Sequence, residues 1–202
     1  MTRRAKQTDA FGVFEVNLER SRAFLRIFDK DRKRGQPSRD EKELLRGSLV
    51  FAVGALDAYL SDLILEIVPR YGPKSPQLAD ALRAIAKTDP GLSLRVALAN
   101  SDDDRRYEFR SALDDWLATK SFHGPAKVAS ALEYVACAIT WDEFDKAAGC
   151  DAAKELTRIT DERHEIVHRG QKPYIRRDLA ESANNLIAAL AQRIDDEVAA
   201  RY

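Results

Sequence analysis

The 202 residues, 45% hydrophobic and 33% charged, carry enough apolar material for one core and too much for a disordered tail. Basic and acidic side chains cancel at 33 each, which argues against a domain that coats nucleic acid through bulk charge and leaves room for a local basic site. The longest uninterrupted apolar run, Leu49 to Leu56, is cut by Asp57, short of the roughly 20 residues that cross a bilayer, so no membrane span is expected.

The first residues, Met1-Thr2-Arg3-Arg4-Ala5-Lys6-Gln7, lead into charge without the apolar stretch of a secretory signal, and a cytoplasmic location is expected. Cys137 and Cys150 form no CxxC pair and have no companions at zinc spacing, so both read as small hydrophobes. Arginine outnumbers lysine, 22 to 11; this suits bidentate phosphate contacts, and a GC-rich coding sequence would produce the same bias.

Gly and Pro are sparse, and apolar residues recur every three or four positions, which predicts an all-α protein. A first helix is expected over about 8–30, with Phe11, Phe14, Leu18, Phe24, Leu25 and Phe28 as its stripe, ending in a charged linker from Asp31 to Pro37. A second, over about 38–68, opens on Ser38-Arg39-Asp40-Glu41, a capping-box pattern. Its wide apolar face, from Leu45 and Ser48 through Tyr59 to Ile67, suits the centre of a bundle. The segment from Pro69 to Pro76 is read as closing it.

Shorter helices at about 77–87, 103–119, 125–138 and 141–148 would make residues 70–150 a helical insertion within a single domain. A further helix over 151–168 stops before Gly170 and Pro173, and a last one covers about 177–200. Trp116, Trp141 and Phe144 fit core positions, and His123 before Gly124-Pro125 reads as a turn residue. Arg105, Arg106 and Arg110, interleaved with Asp102, Asp103, Asp104 and Glu108, read as a salt-bridged surface.

Residues 163–168, Arg163-His164-Glu165-Ile166-Val167-His168, admit two readings. His-Glu-x-x-His at i,i+4 puts two imidazoles on one helix face for zinc, with Glu165 as general base of a metallopeptidase. That reading needs a third ligand, and Glu181, Asp178 and His123 lack the spacing for it. The second reading pairs Arg163 with His168: a cation to neutralise charge on a phosphoryl group and an imidazole to move protons near neutral pH. Five positions leave the two about 140° apart on an ideal helix, so within one chain they converge only where the helix end curls.

Arg46-Gly47-Ser48-Leu49-Val50-Phe51-Ala52-Val53-Gly54-Ala55-Leu56-Asp57-Ala58-Tyr59-Leu60, taken with Arg163 to Gly170 and the amphipathic last helix, resembles a HEPN domain, and within that family the RNase LS/PSP-like (RiboL-PSP-HEPN) ribonuclease group. The likeness rests on roughly a fifth of the chain. It implies a helical bundle and a metal-independent endoribonuclease without cofactor, whose Arg-x(4 to 6)-His motif is completed across a homodimer. By that resemblance Arg163 and His168 match the motif, His164 stands at its polar position, where Asn or Asp is more usual, and Asp57 matches the acidic residue of the earlier helix.

The implied chemistry is attack of an RNA 2′-hydroxyl on the adjacent phosphorus. RNA is then the substrate, and an antitoxin or defence-system protein is an expected partner by family analogy. The loop after the motif, with Arg169, Lys172, Tyr174, Arg176 and Arg177, is the candidate RNA-contacting surface: four cations and a ring that can stack on a base. A HEPN module that binds nucleotide, RNA or protein without catalysis is the alternative reading.

Overall fold

Apolar side chains spaced three and four residues apart share a face only on a helix, and helices are what this chain forms. The computed structural model describes residues 7–30, 35–72 and 75–202. Within them the protein is all-α, without a strand: α1 (Asp9–Lys30), α2 (Arg39–Tyr71), α3 (Pro76–Thr88), α4 (Leu92–Leu98), α5 (Asp102–Leu117), α6 (Pro125–Tyr134), α7 (Trp141–Ala148), α8 (Ala152–His168) and α9 (Arg177–Arg201). The basic N-terminal residues up to Lys6 and positions 31–34 of the expected linker lie outside the described residues.

α2 is the central helix, packed against α1, α5, α6, α8 and α9. By length and composition it could cross a membrane, which counting the apolar run only as far as Asp57 overlooked. Here the bundle takes up its apolar surface: Leu49, Leu56, Leu60, Leu63 and Ile64 are all buried. The capping box forms as the sequence indicates, Ser38 Oγ accepting from Glu41 N at 3.2 Å and Glu41 Oε2 from Ser38 N at 2.6 Å. α1 lies against α2 closely enough that a Cβ on Gly47 would stand 3.3 Å from the Phe24 ring.

Polar pins cross this core. Ser21 Oγ donates to the Ser48 carbonyl at 2.6 Å, and Asn184 Nδ2 donates to Ser48 Oγ at 3.1 Å, joining α1, α2 and α9 through three buried side chains. At the other end of α1, Asp195 of α9 accepts from Thr8 N and Oγ1 while Glu66 of α2 accepts from Ala10 N. Carboxylates thus satisfy N–H groups at the N-terminus of α1, where the helix dipole favours negative charge.

Several expectations are corrected. Pro69 does not end α2, which continues to Tyr71. The carbonyl that a proline at this position leaves without its helical donor belongs to Leu65, and Arg110 Nη1 donates to it at 2.8 Å. Arg110 therefore serves the helix, while Arg105 and Arg106 pair with Asp102 and Asp103 on the surface. α6 stops at Tyr134, short of 138, because the chain turns at Ala136 with φ of 51°. α4 was not anticipated; it carries one buried side chain, Leu92, and so shows little periodicity. Cys137 is buried, whereas Cys150 is exposed and does not act as a core residue. Phe144 is buried and Trp116 and Trp141 pack against the core partly covered.

Candidate functional site

The motif helix divides at its middle. Its first half contributes Ala152, Leu156 and Ile159 to the core, after Asp151 caps the helix by accepting from Lys154 N at 2.9 Å. Beyond Ile159 no residue of α8 is fully buried: Arg163 and Ile166 are partly covered, Ile166 packing against the core, while His164 and His168 are exposed. The helix stays regular through His168, and the chain then turns at Gly170, whose φ of 59° suits a residue without Cβ.

Because there is no curl, Arg163 and His168 point to different flanks. His168 is exposed and lies against His164, ring centroids 4.9 Å apart, as i,i+4 spacing dictates. Among the described residues no group of three or more His, Cys, Asp or Glu is placed to hold a metal ion. The His-Glu-x-x-His reading thus has its two imidazoles on one face and no assembled third ligand.

Arg163 instead turns to a residue that the sequence reading set aside. Its Nη1 lies 3.4 Å from His123 Nε2, and the other ring nitrogen, Nδ1, lies 3.6 Å from Asp57 Oδ2. Asp57, His123 and Arg163 therefore form a line from α2, through the loop before α6, to α8. The loop is fixed on both sides. Asp57 Oδ1 accepts the Phe122 N–H, and Thr160 Oγ1 of α8 lies 2.7 Å from the His123 carbonyl, to which it can donate. Phe122 is buried beside it, and Gly124-Pro125 then starts α6 with proline in its first turn.

Burial is the largest influence on the Asp57 carboxyl and opposes ionisation; the His123 imidazole, the Phe122 N–H and Arg163 outweigh it together and hold the carboxyl below its ordinary range. His123 has only local signals in the sequence, a rigid Gly-Pro turn after it, and its partners are remote, so pattern reading classed it as a turn residue.

On its open side Arg163 borders a cleft of about 340 Å³ between α1 and α2, lined also by Asn17, Arg20, Phe51, Gly54 and Ala58. Among the described residues neither Arg20 nor Arg163 forms an ion pair with a carboxylate, and Arg163 Nε is buried without a hydrogen-bond partner. A buried guanidinium N–H without a partner is costly, and the cleft beside Arg163 and Arg20 has room for an anion.

The loop from Arg169 to Arg177 is tied to the bundle. Ile175 is buried, and Arg46 holds the Lys172 and Pro173 carbonyls at 3.0 and 2.9 Å. Arg169 pairs with Glu165, Arg176 with Asp178, and Arg177 with Asp29 and Glu181. Lys172 is exposed without an ion pair among the described residues, and Tyr174 is exposed with Lys42 Nζ 5.9 Å from its ring centre. The expected basic surface is therefore largely matched by carboxylates, and Lys172 and Tyr174 are its least committed side chains.

Compared with known proteins, residues 16–200 match the family model described as RiboL-PSP-HEPN, a match that runs through the short helices of 70–150 as well as the long ones. No curated protein and no solved structure matches the chain. A match over most of the chain, together with an all-helical bundle carrying the Arg-x4-His segment at the end of α8, establishes that this chain belongs to the RiboL-PSP-HEPN family, whose membership points to a nucleotide-related or RNase-like role.

Proposed function

We propose that this protein is a metal-independent endoribonuclease that cleaves RNA by internal transesterification. The observation that carries the reading is the state of Arg163: braced on one side by His123, without a carboxylate partner among the described residues, and open on the other to a cleft. In the reaction the substrate's 2′-hydroxyl attacks the adjacent phosphorus, the 5′-oxygen of the next nucleotide leaves, and a 2′,3′-cyclic phosphate forms. Arg163 stabilises the charge of the pentacoordinate phosphorus. His168 supplies the imidazole that moves the proton, and His164, its ring tilted against it one turn away, limits where that ring can point.

Since α8 is regular and directs Arg163 and His168 to different flanks, one chain does not close the pair on a single phosphate. A homodimer that brings His168 of the partner subunit to Arg163 does. Lys172 and Tyr174, with Arg169, Arg176 and Arg177 nearby, extend the RNA path. A cytoplasmic toxin or defence effector held by an antitoxin or a neighbouring defence protein is the biological setting this reading favours.

The test is incubation of the purified protein with total bacterial RNA in EDTA, beside Arg163→Ala. Fragments ending in 2′,3′-cyclic phosphate are expected from wild type, with a rate about 100- to 1,000-fold lower in the variant. RNA left intact by both proteins overturns the nuclease reading in favour of a HEPN module that binds without cutting.

A further inference from the structure

His123 occupies a position that a turn residue has no need of. Its backbone is held through Phe122 N–H on Asp57 of α2, and its own carbonyl lies 2.7 Å from Thr160 Oγ1 of α8, whose single hydrogen can go there or to the Leu156 carbonyl at the same distance. Its ring is largely buried, with Nε2 3.4 Å from Arg163 Nη1 and Nδ1, which has no hydrogen-bond partner, 3.6 Å from Asp57 Oδ2. Asp57 and Arg163 are the charged groups that face this ring, one on each side.

The donor and acceptor inventory fixes what such a ring must be. Arg163 only donates, so a hydrogen bond between the two requires Nε2 to be the unprotonated nitrogen. A neutral imidazole then carries its hydrogen on Nδ1, the nitrogen that faces the Asp57 carboxylate. With both nitrogens protonated, two donors face each other at Arg163 and the contact is lost. Asp57, ionised, favours that tautomer by its charge: its Oδ2 lies 3.6 Å from Nδ1, longer than a hydrogen bond, and Nδ1 has no other partner.

We infer that His123 is a positioning residue for Arg163: Asp57 sets its tautomer, and its Nε2 accepts from the Arg163 guanidinium and aims the remaining donors at the cleft. It touches no substrate. The inference deepens the ribonuclease reading for its catalytic consequence and stands apart from it for the tautomer. A guanidinium on a flexible four-torsion side chain at a helix end would otherwise sample many directions, and small misplacement of a charge-stabilising group is expensive in rate.

Two measurements test it. In uniformly 15N-labelled protein at neutral pH, long-range 1H–15N correlation of the His123 ring should show the hydrogen on Nδ1, and Asp57→Asn should release that preference. An Nε2–H tautomer in wild type overturns the inference, because that ring cannot accept from Arg163. In cleavage assays His123→Leu should lower kcat about 10- to 100-fold with KM little changed, and His123→Gln, whose amide oxygen can accept from Arg163, should recover most of the loss. Equal loss in Gln and Leu variants of unchanged melting temperature also overturns it. If wild type cuts no RNA, the ribonuclease reading fails alone: the Nδ1–H tautomer, and collapse of the Arg163 guanidinium signals in His123→Leu, still decide the positioning role.

Discussion

Asp57 reaches out of α2 to take the backbone N–H of Phe122, and with that one bond the central helix fixes the loop that carries His123. Phe122 is buried, and its N–H loses its only protein partner once the carboxylate is gone. Asp57→Ala should therefore cost about 1–3 kcal/mol, the usual penalty for stranding a buried donor.

The pH dependence of that loss has a definite sign. The Asp57 carboxyl is held below its ordinary value of 3.8 in the folded protein, so the unfolded chain binds its proton first. Its contribution is complete above that value and is lost as pH falls through the depressed folded-state value. Urea unfolding of wild type and Asp57→Ala across the acid range should show the stability gap shrinking below pH 3.8. A gap that stays constant into strong acid would show that the carboxylate charge contributes nothing.

Gly54 lies inside α2 at the edge of the Arg163 cleft, and a Cβ built on it meets nothing within 4 Å. Glycine in a helix interior costs roughly 1 kcal/mol relative to alanine, so Gly54→Ala should raise the melting temperature. Gly54→Leu puts a branched side chain into the same space and should lower RNA cleavage by about tenfold or more, the equivalent of roughly 1.4 kcal/mol in the barrier. Full activity in a stable Gly54→Leu protein would show that substrate does not use this cleft.

Arg110 and Pro69 form a coupled pair through the Leu65 carbonyl. Removing the arginine alone leaves that oxygen without a donor, and Arg110→Ala should destabilise by about 1–3 kcal/mol. In a Pro69→Ala background the new amide can reach Leu65 as an ordinary helical donor, so the same arginine deletion should cost less. A double-mutant cycle by chemical denaturation measures the difference; strictly additive losses would mean that Arg110 acts elsewhere.

What could be read in the sequence follows the range of the interactions. The stripe of α1, the Ser38 cap of α2 and the Gly170 and Pro173 stop after α8 are local patterns, decided within a few residues, and the helices stand where those patterns put them. Pro69 stands inside α2 because the group that makes up for its missing N–H, Arg110, arrives from another helix, which no local pattern announces. His123 was passed over for the same reason: nothing near it in the chain announces Asp57 or Arg163. Ser48, counted with the apolar face of α2, is indeed buried, but it is there with Ser21 and Asn184 as partners. The Arg-His motif was visible as letters, whereas the opposed directions of its two side chains depend on whether α8 stays regular to its end.

Arg46 gives the most direct handle on the loop that follows the motif. Its side chain is buried, with Nε and Nη2 on the Pro173 and Lys172 carbonyls and Nη1 on Glu43 at 2.8 Å. Arg46→Met keeps the length and apolar bulk of the stem and removes all three bonds. Hydrogen bonds to charged groups contribute about 1.5–3 kcal/mol net; the half-exposed Glu43 pair adds little and the two carbonyls belong to a surface loop that water reaches, so a loss of about 2–3 kcal/mol is expected, or a fall of roughly 5–10 °C in melting temperature for a domain of this size.

The loop reports its own release: trypsin should cut after Arg169 much faster in the variant, while the Lys172-Pro173 bond resists in both proteins because proline follows the lysine. If the loop also guides RNA, KM should rise with kcat little altered, since Arg163 and His123 are held from α8 and the loop before α6 and do not depend on Arg46. An unchanged melting temperature with Arg169 still protected would show that Ile175 alone seats the loop.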